Sequence, residues 1–256
     1  MRYNTLICLI SFCFLLSCHV NKQEHKIQKT DRDFISIFDG KTLKNWKGDP
    51  GYWHVENGNL VGIVTPETLL KKNSFIIWQG GQPENFELKL EYRISEAGNS
   101  GVNYRSELLD TIPYALRGYQ CDIDGKQRYT GQNYEEKKRT TLAYRGEKVL
   151  INPQNNPDST GNLRANIKNN CWLIRDEIES LGAPHSLKAK IKNNDWNQVH
   201  LIINGNKLQH YINGTLMSEV TDADTINRSL KGYIGVQVHV GPPMKVEYRN
   251  IKLKLL

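Results

Sequence analysis

The sequence predicts an all-β fold, an antiparallel sandwich with one long loop excursion, and three observations carry that prediction. Apolar and polar residues alternate along several segments, most cleanly in "NFELKLEYRIS", where Phe86, Leu88, Leu90, Tyr92 and Ile94 share one face and charges take the other. Asn-Gly pairs punctuate such segments: Asn57-Gly58 and Asn204-Gly205 supply the positive φ angles of tight hairpins. No long helical pattern separates one strand from the next, which argues against a βαβ arrangement.

Taken in order, the chain starts with a positive Met1-Arg2 and an apolar run from Leu6 to Leu16. That run is too short for a bilayer span, which needs about 20 residues, and it fits the apolar region of an export signal. It closes on Leu15-Leu16-Ser17-Cys18, which resembles a bacterial lipobox with Cys18 as the lipid-bearing residue. Residues 1–17 are therefore expected to be a lipoprotein signal peptide. Residues 18–33, polar and aperiodic, are expected to be a flexible tether. The expected location is the bacterial cell envelope, exported and lipid-anchored.

Residues 34–256 are long enough for one domain with a substantial core. Phe34–Phe38 leads into the turn-rich "DGKTLKNWKG", and "YWHVENGNLVGIV" is a hairpin. After "NFELKLEYRIS" come "GVNYRSELL" and "RGYQCDID" as further strands. "WNQVHLIINGNKLQHYINGTLMSEV" is a second hairpin, its return strand ending at Asn213-Gly214, and "YIGVQVHVGPPMKVEYRNIKLKLL" supplies the last strands. Between Lys126 and Asp195 this rhythm breaks, and the segment is expected to loop over one face of the sandwich. Within it, "NCWLIRDEIESLG" predicts a short amphipathic helix with Trp172, Ile174 and Ile178 inward.

The net charge is +7, with lysines and arginines interleaved among acids, a pattern that does not suit a nucleic-acid partner. Of five cysteines, Cys121 and Cys171 lie beyond the signal and tether, too few for a disulfide framework. We expect two thiols rather than a bridge.

Strand parity singles out one polar surface. In "GVNYRSE", Val102 and Tyr104 fall inward and Asn103, Arg105 and Glu107 outward. In "GYQCDID", Cys121 falls inward and Gln120 and Asp122 outward; in "IGVQVHV", Gln237 and His239 are the outward pair. If these strands share a sheet, the seven side chains line one face. Planar amides and a guanidinium suit sugar hydroxyls and carbonyls, and a histidine with carboxylates can move protons near neutral pH. Gly235 and Gly241 leave room for a ligand beside the backbone. Singly, each has a plainer role: a surface histidine, a turn-capping Asp122, an Arg105–Glu107 pair.

Other chemistries lack their motifs. There is no His-x-x-x-His or Cys-x-x-Cys metal spacing, no Gly-x-Ser-x-Gly elbow and no phosphate loop. The Glu-x-Asp-x-x-Glu strand of sandwich-fold glucanases is missing, "RDEIES" being the nearest match, so direct two-carboxylate hydrolysis lacks its apparatus.

The segments "FDGKTLKNWKG", "NFELKLEYRISEAGNSGVNYRSE", "GYQCDID", "RYTGQNYEEKKRTTLAYRGEKV" and "GVQVHVGPPMKVEYRNIKL" occur in an order that resembles the 3-keto-disaccharide hydrolase domain family, from Phe34 to Leu256. The resemblance implies a concanavalin A-like jelly roll, shaped like family-16 glucanases without their catalytic strand. It implies a substrate, a glycoside oxidised to a ketone at C3, and a functional partnership with a sugar 3-oxidoreductase. It also points to the polar face as the site, and strand parity on that face suggests the individual roles. His239 would act as general base or acid with Asp122 as companion, Arg105 would stabilise enolate charge, and Glu135 would close over the sugar. Glu107 would orient Arg105, while Asn103, Gln120 and Gln237 would bind hydroxyls. No cofactor is evident; a divalent cation could serve as Lewis acid. Two other readings are a carbohydrate-binding module, with Trp46, Trp53 or Trp78 stacking on sugars, and a lipid-anchored structural protein.

Overall fold

The alternating segments assemble into two sheets in the computed structural model, which describes residues 33–153 and 174–256. In chain order the strands are β1 (Ile35–Ser36), β2 (Trp46–Lys47), β3 (Trp53–Glu56), β4 (Asn59–Val64), β5 (Ser74–Trp78) and β6 (Phe86–Ile94). Then follow β7 (Asn99–Leu108), β8 (Leu116–Asp124), β9 (Asn133–Glu136), β10 (Thr140–Ala143), β11 (Glu147–Ile151) and β12 (Arg175–Ser180). After helix α1 (Pro184–Lys188) come β13 (Asn197–Asn204), β14 (Lys207–Ile212), β15 (Thr215–Asp222), β16 (Tyr233–Val238) and β17 (Met244–Leu255). Among the described residues, one sheet runs β12-β11-β15-β14-β13-β6-β17-β4-β3 with β1 on β17, and the other β10-β9-β8-β7-β16-β5-β2. This is the all-β sandwich that the alternation predicts, with the jelly-roll form that the resemblance implies, within one compact unit from Phe34 to Leu256.

The turns form where the sequence permits positive φ. Asn57 and Gly58 sit at φ 50° and 82°, Asn213 and Gly214 at 50° and 76°, the geometry that matches strand twist in two-residue hairpins. On β6 the five apolar residues are buried in the core. Its outward charges pair with the neighbouring strand β17: Arg93 with Glu247 at 2.8 Å, Glu91 with Arg249 at 2.6 Å and Glu87 with Lys254 at 3.3 Å. That face is thus spent on solvated ion pairs, each worth about 0–1 kcal/mol.

Polar ties cross the core between the sheets. The Ser100 and Tyr248 hydroxyls meet at 2.6 Å, and the Tyr119 hydroxyl donates to Asp222 Oδ2 at 2.6 Å. Tyr104 OH lies 2.8 Å from His210 Nε2, whose Nδ1 faces the Gln132 carbonyl at 3.3 Å. A carbonyl only accepts, so Nδ1 carries the proton and Nε2 accepts from Tyr104. Burial lowers the His210 pKa to about 3, which keeps the ring neutral.

The excursion between Lys126 and Asp195 departs from expectation. Rather than looping over one face, its described parts extend both sheets: β9 and β10 edge the seven-stranded sheet, while β11 and β12 edge the other. Here β11 runs parallel to β15, the connection being long enough to bring the chain back in the same direction. The predicted helix is also corrected, because Arg175–Ser180 is the edge strand β12 and the short helix lies further on, at α1. Pairing with β11 overrides local propensity: Lys148 faces Glu179 in register with a 2.9 Å ion pair, and Ile178 remains exposed. The predicted signal peptide, Cys18 and the tether through Arg32, as well as Cys171 and Trp172, lie outside the described residues.

Candidate active site

Three adjacent strands, β8, β7 and β16, build the floor of the site. In register, Asn103 lies opposite Gln120 on one side and Gly235 on the other, and Gly101 lies opposite Asp122. Gln237 pairs with Phe75 on the next strand. Period-2 parity therefore puts Asn103, Gln120, Asp122 and Gln237 on the face turned away from the core, as expected. The same face continues into a small apolar cluster of Phe75, Ile77 and Leu116 packed against Tyr233.

A cleft of about 220 Å³ opens over the Gln120–Asp122 side of this floor, lined by Asn99, Gln120, Asp122, Tyr129, Gln132, Tyr134, Glu136, Thr141 and His239. Asp122 is its best-defined member. The Gln120 amide donates to Oδ1 at 2.6 Å and the Gln132 amide to Oδ2 at 2.5 Å. Burial raises its pKa from 3.8 to about 7; the two amide bonds pull it down, and Glu136 and Asp124 push it further up. Burial disfavours the ion by more than two hydrogen bonds restore, so this carboxyl exchanges a proton near neutral pH.

Glu136 and His239 face Asp122 across the cleft. Burial also raises the Glu136 pKa, while charges on Lys137 and His239 and a bond from Asn73 oppose the rise. Asn73 Nδ2 donates to Glu136 Oε1 at 3.2 Å, and Asn73 Oδ1 accepts the Val240 N–H at 3.0 Å. One amide thus ties β9 to the turn that carries His239. The half-buried His239 directs Nδ1 at the Val240 carbonyl, 2.5 Å away, so Nδ1 is the donor and Nε2 is left for a substrate.

The loop after β8 holds Gln132 in place. Asp124 Oδ1 accepts the Tyr129 and Thr130 N–H groups at 2.8 and 3.2 Å, and Ser218 Oγ donates to the Gly131 carbonyl at 2.8 Å. The turn-capping role weighed for Asp122 thus belongs to Asp124. Gly101 has a different job: a Cβ there would lie 2.4 Å from Gln120 Cδ, so the absent side chain is what lets Gln120 lean towards Asp122.

Eight buried side-chain polar atoms among the described residues have no hydrogen-bond partner, and five belong to this floor. They are both amide atoms of Asn103, both of Gln237, and Oε1 of Gln120. Buried amides are ordinarily paired, because each unmade bond costs about 1–3 kcal/mol.

Three expected members sit elsewhere. Arg105 breaks the strand's parity: the register slips between Tyr104 and Glu107, and Arg105 has φ 45°. Its guanidinium is spent on backbone carbonyls, with Nη2 and Nε on Glu84 O at 2.6 and 2.9 Å and Nη1 on Gly205 O at 2.7 Å. Glu107 pairs with Arg117 at 2.5 Å instead of orienting Arg105. Glu135 faces inward, since β9 parity sends Asn133 and Glu135 to the buried side and Glu136 to the cleft. Burial opposes its charge, but Arg139 at 2.5 Å holds its pKa below the usual range. That guanidinium also binds Asp222 at 2.6 Å. Arg105, Glu107 and Glu135 line a second cleft of about 320 Å³.

Asn73, Gln132, Tyr134 and Glu136 join the site beyond the residues that strand parity names. The adjacent "YEE" offered a carboxylate, and parity counted from a paired Asn133 would have chosen Glu136 over Glu135. Asn73 has no local signal, its partners being 63 and 167 residues away. Trp46, Trp53 and Trp78 are all buried, which removes the stacking platform of the binding-module reading. Cys121 is buried with a free thiol. Among the described residues, no group of three or more His, Cys, Asp and Glu side chains is placed to hold a metal ion.

Comparison with known proteins places these features in context. Residues 33–254 match a family model described as the 3-keto-alpha-glucoside-1,2-lyase-like domain. A Bacteroides thetaiotaomicron protein named 3-keto-disaccharide hydrolase is 33% identical over 81 residues, spanning 29% of this chain and only 28% of that relative. A crystal structure from Parabacteroides distasonis, named as a candidate glycosyl hydrolase, is 18% identical and superposes with a TM-score of 0.53 over 87% of this chain and 99% of its own. The carbohydrate-binding module CBM66 from Bacillus subtilis, 14% identical, gives 0.50 over 82% of this chain and 95% of its own. These two likenesses concern the fold alone.

Proposed function

The chain belongs to the 3-keto-alpha-glucoside-1,2-lyase-like domain family, and from that premise we propose that its Asp122–His239 cleft cleaves the glycosidic bond of 3-keto-glycosides, 3-keto-disaccharides among them. The observation that carries this reading is Asp122 itself, a buried carboxyl between two amide donors with its pKa near 7. A binding module needs no such group; an enzyme that moves a proton at neutral pH does.

A ketone at C3 acidifies the hydrogen at C2. Asp122 takes that proton, and the C2–H electron pair forms an enolate across C2, C3 and the ketone oxygen. When the enolate collapses, a C1–C2 double bond forms and the C1–O bond breaks. His239, through Nε2, gives the leaving oxygen its proton, with Glu136 stabilising the imidazolium. Water adding to C1, with a proton returning to C2, completes net hydrolysis; omitting that step leaves a lyase. Neither outcome needs paired glucanase carboxylates.

The same reading gives the protein a setting. Cys18 anchors it by lipid to the cell envelope, and an oxidoreductase acting at the sugar's C3 hydroxyl supplies the substrate. Replacing Cys18 with Ser and following release from membranes tests the anchor. Incubation with 3-keto-trehalose and 3-keto-lactose, with and without a chelator, tests the activity and any use of a divalent cation. Release of free 3-keto sugar or of the enone supports the enzyme. No turnover across the panel, with affinity for unmodified glycans, supports the binding module instead.

A further inference from the structure

The reaction proposed above requires a group that stabilises the enolate, and the structure moves the expected one, Arg105, out of the site. We propose that the side-chain amides of Asn103 and Gln237 form the enolate-stabilising hole, their N–H groups receiving the C3 oxygen as C2 loses its proton. This inference rests on the 3-keto-glycoside reading and names further residues for it.

The argument begins from the unpartnered atoms. Asn103 Nδ2 and Gln237 Nε2 are donors without acceptors, and both residues are fully buried. They lie on adjacent strands of the same face, one register step apart, because Gly235 faces Asn103 and Gln237 is two residues on. Diagonal neighbours of this kind are about 7–8 Å apart at Cα, within reach of a single oxygen for two amide arms. Gln120 lies directly opposite Asn103, leans over Gly101 and donates to Asp122. Base and donors thus share one floor, with Gln120 lying between them.

The chemistry fits these atoms. Neutral amides gain little from a ketone oxygen that water solvates equally well, and far more from one that becomes charged in a water-excluded site. The fold has also left the donors unsatisfied at a standing cost, as expected of donors reserved for a transient charge. Access requires a movement. Asn73 joins the start of β5 to the end of β9, four strands away, so its segment roofs the intervening floor. Asn103 and Gln237 do not line the open cleft, so the inference requires this segment to move aside when the sugar binds.

The test is kinetic and structural at once. In the full-length protein, Asn103→Leu and Gln237→Leu are assayed on 3-keto-trehalose, and each is melted by differential scanning calorimetry. Expected are a fall in kcat of about 100-fold or more per residue, a KM within a few-fold, and a melting temperature equal to or above wild type. Gln237→Glu, which sets a carboxylate against the enolate, must be slower than Gln237→Leu. Wild-type turnover with both leucine variants within about threefold in kcat overturns the amide hole while leaving the 3-keto-glycoside reading intact. A fall in melting temperature matching the lost activity overturns it as well, since the amides would then serve structure. Absence of wild-type turnover removes the reading and the hole together.

Discussion

Replacing Asp122 with Asn should stabilise the protein, and only above acidic pH. The native carboxyl has its pKa raised from 3.8 to about 7, chiefly by burial. A group that binds its proton more tightly in the folded state gives full stability below the unfolded pKa and loses it as pH rises through the folded one. Here that window runs from about pH 4 to about pH 7. A shift of roughly 3 units at 1.36 kcal/mol each makes ionised Asp122 a burden of about 4 kcal/mol at pH 8. Asparagine is isosteric and never ionises. Gln120 can rotate its amide to meet it, because Gln120 Oε1 has no partner and can accept from the new N–H group. Urea unfolding of both proteins at pH 4.5, 6, 7 and 8 measures the effect. The titration-linked difference between variant and wild type should be only about 1 kcal/mol at pH 4.5 and grow to about 4 kcal/mol at pH 8. Other titrating groups, Glu136 included, cancel to first order in that difference. Parallel curves, with a gap independent of pH, would show that Asp122 is not the raised carboxyl and refute the reasoning.

Other outcomes follow from the same geometry. His239→Ala should lower kcat on a 3-keto-disaccharide by about 100-fold or more, with KM little changed, in steady-state assays. Glu135→Gln breaks a buried ion pair and leaves Arg139 undercompensated, so thermal melts should show a loss of about 3 kcal/mol or more. Glu136→Gln, its neighbour, should instead lower activity with little loss of stability. Gly101→Ala places a methyl group 2.4 Å from Gln120 Cδ. It should detach Gln120 from Asp122, raise the carboxyl's pKa further and move the pH–rate profile of the base limb upward.

Much of this arrangement is legible in the sequence because strands have a fixed period. Parity alone brings Asn103, Gln120, Asp122 and Gln237 together, and Asn57-Gly58 marks its hairpin unaided. Parity fails where the backbone departs from the pleat. Nothing local announces the bulge at Arg105, whose φ of 45° redirects a side chain that alternation sends into the cleft. β9 is so short that its phase depends on Asn133 pairing with Cys121 in β8, a tertiary fact, so Glu135 and Glu136 exchange places. The strand at Arg175–Ser180 is similar: glutamates and an isoleucine suit a helix, and only the backbone ladder to β11, with its cross-strand ion pairs, makes them a strand. Contacts such as Asn73 with Glu136 leave no periodic trace at all.

One kinetic comparison reaches the centre of the account, namely cleavage of 3-keto-trehalose and of its C2-deuterated form by the wild-type protein, with unoxidised trehalose alongside. Removal of the C2 proton by Asp122 predicts that deuterium slows cleavage severalfold, that trehalose is inert, and that Asp122→Asn abolishes turnover. Equal rates for the two isotopologues, with trehalose cleaved as readily as its ketone, would contradict it.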